Sequence, residues 1–440
     1  MPSPADVRSS PNRSDQYDVI IVGGGIVGTA IGYLLAVRGL HVAVLEKGSV
    51  AGEQSSKNNG WVRQQGRDLR ELPLAVESVR LWRGLSKALG RDVGYRQCGS
   101  LYLLDTDEDH AHYARWIEAA KGFDLDTRLL QSDAVAAMVP SLGRRWKHGL
   151  YTASDGKAEP EIAAPALAEG IQDLGGHIVQ RCCVHAIDVQ AGRVHGVQTE
   201  SGIIRAGAVV VAGGVWSSRL LRGAGIRLPQ LKVRISAMRL SGVDGPSPCV
   251  WAPGISMRKR LDGGYTVTQG SKIIADLGLD SFRYARDFLP AVRAGWNDLH
   301  VRLNGRFVED FRQSRALVTP GPIGQDVREL KAAPDHAILD RLHRDVVREM
   351  PVFAKADILE RWAGYIDATP DGVPVIDQVE QAAGLFVAPD FPGMASACPW
   401  GRPRFCRGWS LATIRQSIRP LTGYPGSSVS YTHLRAHETR

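Results

Sequence analysis

The stretch DVIIVGGGIVG, residues 18–28, contains an apolar run that leads into three consecutive glycines. Gly23 and Gly25 permit a tight turn and a close approach of the backbone to a pyrophosphate. Gly28 lets the helix that follows pack against the strand. The amides at the start of that helix attract phosphate, and the helix dipole adds to the attraction. The stretch therefore predicts a strand, turn and helix that bind a dinucleotide.

A second short apolar run, 41–45, ends at Glu46. A carboxylate at the end of this strand accepts the hydroxyls of the adenosine ribose and repels a 2'-phosphate. FAD and NAD proteins both use this arrangement, so the motif leaves the choice between them open. Residues 19–37 carry no charge, but their glycines favour a buried βαβ unit over a membrane span.

The composition is that of a globular protein with two domains. The chain has 440 residues, of which 44% are hydrophobic and 23% charged. Its net charge of +8 comes largely from residues 398–440, which hold seven arginines and one acid. A basic patch on the folded body is therefore not indicated, and we expect no nucleic-acid partner.

The six cysteines show neither CxxC nor metal-ligand spacing. This usage predicts reduced, mostly buried thiols and no metal site. No charged segment with an apolar core precedes residue 18, so a secretory signal is not expected. We expect a cytoplasmic protein, with the inner face of the membrane as a second location.

Four segments carry a family resemblance. They read SSKNNGWVR at 55–63, DGKAEP at 155–160, VVVAGGVWS at 209–217 and WAGYIDATPDGVPVI at 362–376. Together they resemble the D-amino-acid oxidase superfamily of flavoproteins, which includes D-amino-acid dehydrogenases, glycine oxidases and sarcosine oxidases. The resemblance runs from about residue 17 to about residue 393. It implies FAD rather than NAD, because the late segments of this family contact a flavin.

The resemblance also implies the architecture. The fold class is α/β, with α+β character in the second domain: a Rossmann-like FAD-binding domain beside an antiparallel-sheet substrate domain. We assign 1–16 to a disordered leader and 398–440 to an aberrant tail. The FAD-binding domain is expected to be discontinuous, at 17–75, 150–225 and 355–397. The substrate domain is expected at 76–149 and 226–354.

The expected cofactor contacts follow the motif and the matching segments. The candidates are Gly23, Gly25, Ile26, Val27, Gly28, Glu46, Lys47, Ser55, Ser56, Asn59, Gly60, Val184, Ala212, Gly213, Trp216, Gly393 and Met394. Some sarcosine oxidases bind FAD covalently through a cysteine close to residue 363, but Ala363 and Gly364 stand here. We therefore expect noncovalent FAD.

Three further residues are candidates for substrate contacts. A flavin accepts hydride, so the protein must hold a substrate C–H above the ring and bind the rest of the molecule. Arginine's planar fork suits a carboxylate, and Arg63 resembles the position at which relatives place such a residue. Tyr365 and Gln269 are the other candidates. Relatives often carry an arginine where Ile366 stands here, and Asp367 follows it.

Two classes of function follow from the resemblance. The first is oxidation of the C–N bond of a D-amino acid, an N-methyl amino acid or an opine-like compound, giving an imine and then an oxo acid. Oxygen or a membrane quinone chain accepts the electrons, and peripheral membrane contact and an oligomer are compatible with either. A 2-hydroxy acid is an alternative substrate. The second class is a noncatalytic or impaired flavoprotein subunit of a hetero-oligomer.

The C-terminal segment departs from the family. From residue 395 the chain shows no helical periodicity, where relatives continue with a glycine-rich turn and a helix. A frameshift near Trp400 and Gly401 accounts for the change, because the alternative frame permits the Gly, Pro, Ala sequence of the family. Residues 427–440 resemble translated vector sequence. Nucleotide reads with an unbroken frame across 395–440 would exclude this hypothesis.

Overall fold

The computed structural model describes residues 2–11, 13–270, 273–294, 299–303, 305, 307–308 and 327–389. Its helices are α1 (Ile26–Ala36), α2 (Gln54–Lys57), α3 (Leu72–Leu89), α4 (Asp107–Ala119), α5 (Ser132–Met138), α6 (Pro160–Asp173), α7 (Ser217–Gly223), α8 (Leu279–Arg283), α9 (Ala285–Ala294) and α10 (His336–Glu349). Its 3-10 turns are Lys121–Phe123, Gly214–Trp216 and Pro351–Lys355.

The strands are short and spread along the described residues. They are β1 (Gln16–Val22), β2 (Val42–Leu45), β3 (Trp61–Val62), β4 (Arg96–Gln97), β5 (Ser100–Leu104), β6 (Thr127–Gln131), β7 (His148–Thr152), β8 (Gly156–Lys157), β9 (His177–Val179), β10 (Val184–Gln190), β11 (Arg193–Thr199), β12 (Gly202–Val211), β13 (Leu231–Leu240), β14 (Cys249–Ala252), β15 (Ile255–Lys259), β16 (Tyr265–Thr268), β17 (Ile273–Asp276), β18 (Leu299–Arg302), β19 (Ile358–Ala368), β20 (Asp377–Gln378) and β21 (Leu385–Val387).

The first sheet contains the glycine-rich stretch. Its order is β10-β11-β12-β1-β2-β9. Strand β21 pairs with the edge of β12 that faces away from β1, and it also pairs with β20. The central strands are parallel, with Ile21 opposite both Val44 and Val210. Helices α1 and α6 cover one face, where Leu35 and Ile171 join the core. Burial on both faces explains why these strands read as unbroken apolar runs. The predicted Rossmann-like unit is confirmed.

The second sheet runs in the order β18-β17-β13-β16-β15-β14-β5-β7-β6, with β19 paired to β13. Most of its pairs are antiparallel, although β14 with β5 and β17 with β18 are parallel. Helix α10 packs Leu339, Leu342 and Val346 into the core of this sheet. The antiparallel sheet expected for the second domain is therefore present, with two parallel pairs added.

A third, small sheet joins β3, β8 and β4 in that order. Lys157 of β8 lies opposite Trp61 of β3 on one side and Arg96 of β4 on the other. The residue that follows β3 is Arg63, and the residue that follows β4 is Cys98. This sheet therefore brings together three segments that lie far apart in the sequence.

Two elements lie on the other side of the expected domain boundaries. Helix α3 was assigned mostly to the substrate domain, yet its residues Trp82 and Leu85 pack against the hydrophobic core of the first sheet, which includes Tyr33. Strand β19 was assigned to the FAD-binding segment, yet it pairs with β13 across the second sheet. The first difference arises because amphipathic periodicity shows that a helix has a buried face, and not which core that face meets. The second arises because the segment of β19 was assigned by its resemblance to the family, which does not specify strand pairing.

The expectation of a disordered leader differs from the structure. Val7 is only 3% exposed and belongs to the core of the first sheet. The amide of Ser10 donates to the carbonyl of Ile178 at 2.8 Å, and that of Ala5 donates to Glu161 at 2.9 Å. Composition rich in Ser, Pro, Asp and Arg suggested disorder, but these backbone bonds and one buried valine fix the segment against β9 and α6.

The described residues show neither a membrane span nor a metal cluster. None of the described helices has the length and apolarity needed to cross a bilayer. The residues in the described ranges form no group of three or more His, Cys, Asp or Glu that could hold a metal ion.

Candidate active site

A cavity of about 1200 Å³ opens where the parallel strands of the first sheet end. Its wall includes Val22, Leu45, Ala212 and Ala388, which end or directly follow β1, β2, β12 and β21. In open parallel sheets, ligands bind beyond the carboxyl ends of the strands. The cavity therefore lies where this fold places a cofactor.

The glycine turn forms one end of this cavity. Gly23 has a φ of +115°, and a Cβ there would lie 2.4 Å from the Ala212 carbonyl oxygen. A Cβ on Gly28 would lie 2.0 Å from the carbonyl oxygen of Gly23. Gly25 is the N-cap of α1, whose fully described first turn holds no acidic residue. The turn is thus shaped by contacts that only glycine permits, and it presents a helix start suited to phosphate.

Glu46 lies across from this turn and is held by backbone amides. The Gly24 amide donates to its Oε2 at 2.7 Å, and the Gly48 amide donates to its Oε1 at 2.7 Å. Burial raises the pKa of Glu46, and the two amide bonds act in the opposite direction. Each carboxylate oxygen has a second lone pair. Glu46 can therefore accept the two ribose hydroxyls of an adenine dinucleotide without losing these bonds.

Lys47 and Trp216 meet in one cluster on the cavity wall. The Lys47 ammonium lies 4.3 Å from the centre of the Trp216 ring. Glu53 joins them, since its Oε1 lies 2.6 Å from Lys47 Nζ and its Oε2 accepts from Trp216 Nε1 at 3.0 Å. Nothing in the sequence pattern singled out Glu53, because its partners come from residues before and far after it.

The structure brings most of the proposed site residues to this one cavity. Those on its wall are Gly23, Gly25, Ile26, Val27, Glu46, Lys47, Ser55, Arg63, Val184, Ala212, Gly213, Trp216 and Tyr365. Ser55 also accepts the Ile26 amide at 2.9 Å, which places its hydroxyl at the start of α1. The fit of the turn, Glu46 and this helix start to an adenine dinucleotide is therefore supported by the chain itself.

Other proposed residues lie behind the wall or elsewhere. Gly28 packs on the turn, and Ser56 donates to the Glu53 carbonyl at 3.4 Å. Asn59 donates through Nδ2 to Ser256 at 2.8 Å, and a Cβ on Gly60 would meet the Ala158 carbonyl. Gln269, half-buried after β16, is not among the described residues that line the cavity.

Two of the proposed cofactor contacts, Gly393 and Met394, lie outside the described residues, as does the proposed frameshift region.

Arg63 belongs to a buried polar wall of the same cavity. The residue is only 5% exposed, and its Nη1 donates to the Gln65 carbonyl at 2.5 Å. Its Nε is buried with no hydrogen-bond partner among the described residues. The guanidinium carbon lies 5.8 Å from the centre of the Tyr102 ring. A buried cation with an unused donor is suited to an anionic ligand.

Arg67 and Glu71, which sequence reasoning missed, continue this wall. Arg67 Nη1 lies 3.4 Å from Glu71 Oε1, and both residues line the cavity. Burial lowers the pKa of Arg67, and the neighbouring charge of Arg63 acts in the same direction. Arg63, Arg67 and Glu71 are spaced by four residues in the sequence. This spacing was the only sequence signal that could have assigned Arg67 and Glu71 to the same site as Arg63.

Asp155 lies directly behind Arg63. It is fully buried and accepts the amides of Gln64 at 2.9 Å and Gln65 at 3.4 Å. Burial raises the pKa of Asp155 to about 6, although these amides and the charge of Arg63 oppose the shift. Gln65 is also fully buried, and neither end of its amide has a partner within the described part of the chain. Asp155 therefore holds the backbone of the arginine segment in place.

Strand β19 supplies another part of the cavity wall. Tyr365 and Asp367 both line the cavity. Asp367 is 2% exposed and accepts from Gln230 Nε2 at 3.3 Å, and the same nitrogen donates to the Gly214 carbonyl at 3.1 Å. Asp367 is thus tied to the turn after β12 and is held in a fixed position.

Lys57 is a further residue that sequence reasoning missed. It lines the cavity, is 7% exposed, and donates through Nζ to the Gly52 carbonyl at 2.7 Å. Burial lowers the pKa of Lys57. A lysine between two serines and two asparagines gave no sign of this burial.

The fold and this cavity define an FAD-dependent oxidoreductase. A family model described as FAD dependent oxidoreductase, abbreviated DAO, matches residues 18–402. The chain belongs to this family, which confirms the resemblance and FAD as the cofactor. The residues that fit the adenosine diphosphate half of FAD are the glycine turn, the start of α1 and Glu46.

Similar proteins act on small amines that carry a carboxylate. The chain is 27% identical over 383 residues to the sarcosine oxidase subunit beta of Arthrobacter sp, covering 85% of this chain and 82% of that protein. It is 26% identical over 389 residues to the glycine oxidase of Geobacillus kaustophilus (strain HTA426), covering 85% and 87%. The solved L-amino acid deaminase of Proteus myxofaciens, in complex with anthranilate, matches with a TM-score of 0.83 and 30% identity over 88% of each chain.

Proposed function

We propose that this chain oxidises the C–N bond of an amino acid whose carboxylate binds at Arg63. The product is an imine, which water hydrolyses to an oxo acid. A free α-amino acid and an N-methyl amino acid both fit this description, since both carry an amine next to a carboxylate. The family membership supports the reaction class, and the cavity wall supports the carboxylate.

One observation carries the proposal: Arg63 is a guanidinium on the cavity wall that is only 5% exposed and forms no ion pair with a carboxylate among the described residues. A buried charge without a charged partner is costly. A substrate carboxylate that enters the cavity supplies that partner and forms a charge-assisted hydrogen bond. The neighbouring Arg67 adds positive potential, which its ion pair with Glu71 reduces.

The chain's own residues bind and orient the substrate. FAD, when bound, supplies the hydride acceptor. Arg63 fixes the carboxylate, and Tyr365 of β19, which lines the same cavity, limits how the substrate can turn. The donor nitrogen must be neutral for hydride to leave the carbon. Nothing in the described wall requires a covalent link to the cofactor, and we propose that FAD binds noncovalently.

The relatives indicate which amino acids to test. The names of three similar proteins specify sarcosine, glycine and L-amino acids. D-amino acids and opine-like compounds extend this range, and 2-hydroxy acids replace the amine by a hydroxyl. We propose that an amine is required, because the similar proteins named above all act on amines.

The test is anaerobic bleaching of the flavin in the purified holoprotein. We expect the absorbance of the oxidised flavin to disappear with one class among L-amino, D-amino and N-methyl amino acids. Air is then readmitted, and rapid recovery identifies oxygen as acceptor, whereas recovery only with a soluble quinone identifies a quinone chain. A flavin-loaded protein that none of these compounds bleaches would contradict the proposal and support a noncatalytic subunit.

A further inference from the structure

Two cysteines from distant segments lie side by side. Cys98 follows β4, Cys249 begins β14, and their Sγ atoms are 3.9 Å apart. The Cys249 amide donates to the Gly99 carbonyl at 3.0 Å, and Cys249 pairs with Ser100 across two parallel strands. A disulfide needs a sulfur separation of about 2.05 Å. Because the backbones are already bonded, a side-chain movement of about 2 Å closes the gap.

The two thiols differ in access and in charge environment. Cys98 is partly exposed, whereas Cys249 is fully buried. The Cys249 thiol next to it lowers the pKa of Cys98, and the charges of Lys157 and Arg258 act in the same direction. Burial raises the pKa of Cys249 well above its usual range. Cys98 is therefore the thiol that a dissolved oxidant reaches and that ionises first.

We propose that Cys98 and Cys249 form a reversible disulfide when the protein meets hydrogen peroxide. The Cys98 thiolate attacks one peroxide oxygen, so that an S–O bond forms, the O–O bond breaks, and the displaced oxygen leaves as water with the thiol proton. The Cys249 sulfur then attacks Cys98, so that the S–S bond forms and the S–O bond breaks. The second oxygen leaves as water with the Cys249 proton. Two thiols are oxidised by two electrons in total, and one peroxide is reduced to two waters.

The cysteine pair is connected to the part of the cavity wall that contains Arg63 and Arg67, which we call the arginine wall. The amides of Cys98 and Gly99 donate to the Asp155 carbonyl at 3.2 Å and 2.9 Å. The Asp155 carboxylate in turn accepts the amides of Gln64 and Gln65, next to Arg63. The third sheet links the same segments through Lys157, which lies opposite both Trp61 and Arg96. A new bond at Cys98 therefore pulls on the backbone that positions Arg63.

Tryptic mapping of the holoprotein tests the covalent step. Cys98 and Cys249 fall in separate peptides, 97–115 and 240–258, and the adjacent Cys182 and Cys183 share a third, 182–193. After brief treatment with hydrogen peroxide and alkylation in denaturant, we expect peptides 97–115 and 240–258 to be linked and dithiothreitol to separate them. Peptide 182–193 serves as internal control. Burial raises the pKa of both its thiols, that of Cys183 to about 11, so it stays alkylated.

Single variants assign the roles. In Cys249→Ser, we expect dimedone to trap a sulfenic acid on Cys98, and in Cys98→Ser we expect Cys249 to remain a thiol. The proposal is overturned if wild-type Cys98 and Cys249 both remain alkylated while free glutathione in the same tube is oxidised. It is also overturned if Cys98 becomes sulfinic acid with no linked peptide, because the two sulfurs then do not meet.

The effect of the disulfide on Arg63 is measured by the KM for the amino acid. This measurement rests on the proposed amino-acid oxidation, whereas peptide mapping does not. We expect oxidation to raise the KM for the amino acid, dithiothreitol to restore it, and Cys249→Ser to remove the reversible part. A KM that is unchanged in fully cross-linked protein contradicts the coupling to Arg63. A protein that turns over no amino acid in either redox state contradicts the proposed function and leaves the mapping result standing.

Discussion

The two ends of the cavity are built in different ways. At the phosphate end, a turn between β1 and α1 is shaped by glycines that lie within a few residues of one another, and its main contacts are backbone atoms. At the arginine end, Arg63 and Arg67 depend on Asp155 and Tyr102, which come from other parts of the chain. The glycines of the first end are neighbours in the sequence, although Ala212 and Ser55 join them from other segments, whereas the second end exists only after distant segments have come together.

This difference has consequences for substitution. A side chain added at the phosphate end meets backbone, which cannot move aside without changing the fold. A side chain removed at the arginine end leaves the fold in place and changes charge, hydrogen bonding and local pKa values. Substitutions of these two kinds therefore separate cofactor binding from substrate binding.

The largest effect is expected for Gly28→Ala. The new Cβ would lie 2.0 Å from the Gly23 carbonyl oxygen, so the turn must open. We expect the purified protein to carry almost no flavin and to unfold at lower temperature than wild type. Flavin absorbance per mole of protein and a thermal melt measure both.

The matched control for that variant is Gly84→Ala. Gly84 lies inside α3 where the helix borders the cavity, and apart from the backbone of its own helix no described atom lies within 4 Å of the Cβ position. Alanine favours a helix over glycine by about 1 kcal/mol, so full flavin content and unchanged or higher stability are expected. Wild-type flavin content and melting temperature in Gly28→Ala would show that the phosphate end tolerates change.

The second prediction concerns Arg258 of β15, which connects the second sheet to the segments that flank β3 and β8. Its guanidinium is fully buried, donates to the Asn59 carbonyl at 2.6 Å, and pairs with Glu159 at 2.8 Å. Removing one partner of a buried ion pair costs about 3–5 kcal/mol. We expect Arg258→Met to lower the free energy of unfolding by this amount in denaturant titrations.

Arg348→Met is the control for Arg258→Met. Its side chain is 66% exposed and pairs with Asp345 on the surface of α10. Exposed pairs contribute about 0–1 kcal/mol, so a small change is expected. Equal losses in the two variants would mean that burial does not set the strength of the Arg258 contact.

The sequence predicts those parts of the fold that depend on residues close together in the chain, and it does not predict contacts between distant elements. The strand, turn and helix around Gly23 could be read from the sequence, because their residues are neighbours in the chain. The partners of α3 and β19 could not be read, because an amphipathic pattern does not name the surface it will cover. Composition suggested disorder before residue 17, where a single buried valine and a few backbone bonds impose order.

The residues of the candidate site also differ in whether the sequence predicts them. Glu46 and the glycines were found because strand, turn and acid occur at a fixed distance. Arg63 was proposed from the resemblance alone, and only the structure shows that its guanidinium is buried and its Nε unsatisfied. Lys57, Arg67 and Glu71 were missed, since burial of a charged side chain depends on elements that are distant in sequence.

The third prediction concerns the pH dependence of stability at the arginine end. The pKa of Asp155 is about 6 in the folded protein and near 3.8 when unfolded. The folded state therefore binds more protons between about pH 4 and pH 6, and stability from this group falls as pH rises through that window. The expected loss is on the order of 3 kcal/mol.

Asp155→Asn isolates this contribution, because it removes the titrating group and leaves the other carboxylates in place. We expect the difference in unfolding free energy between wild type and variant to shift against wild type from pH 4 to pH 6. Urea titrations across this range measure it. A difference that does not vary with pH would mean that Asp155 ionises at its ordinary value.

The most direct test of the central claim pairs a change in Arg63 with a change in the ligand. Dissociation constants are measured by flavin difference spectra for an amino acid that bleaches the flavin under anaerobic conditions, or a slow analogue of it, and for the same compound without its carboxylate. The account predicts that wild type prefers the carboxylate form by roughly 10- to 100-fold, in line with about 1.5–3 kcal/mol for a charge-assisted hydrogen bond, and that Arg63→Ala loses this preference while keeping its flavin. A preference that survives in Arg63→Ala would contradict it.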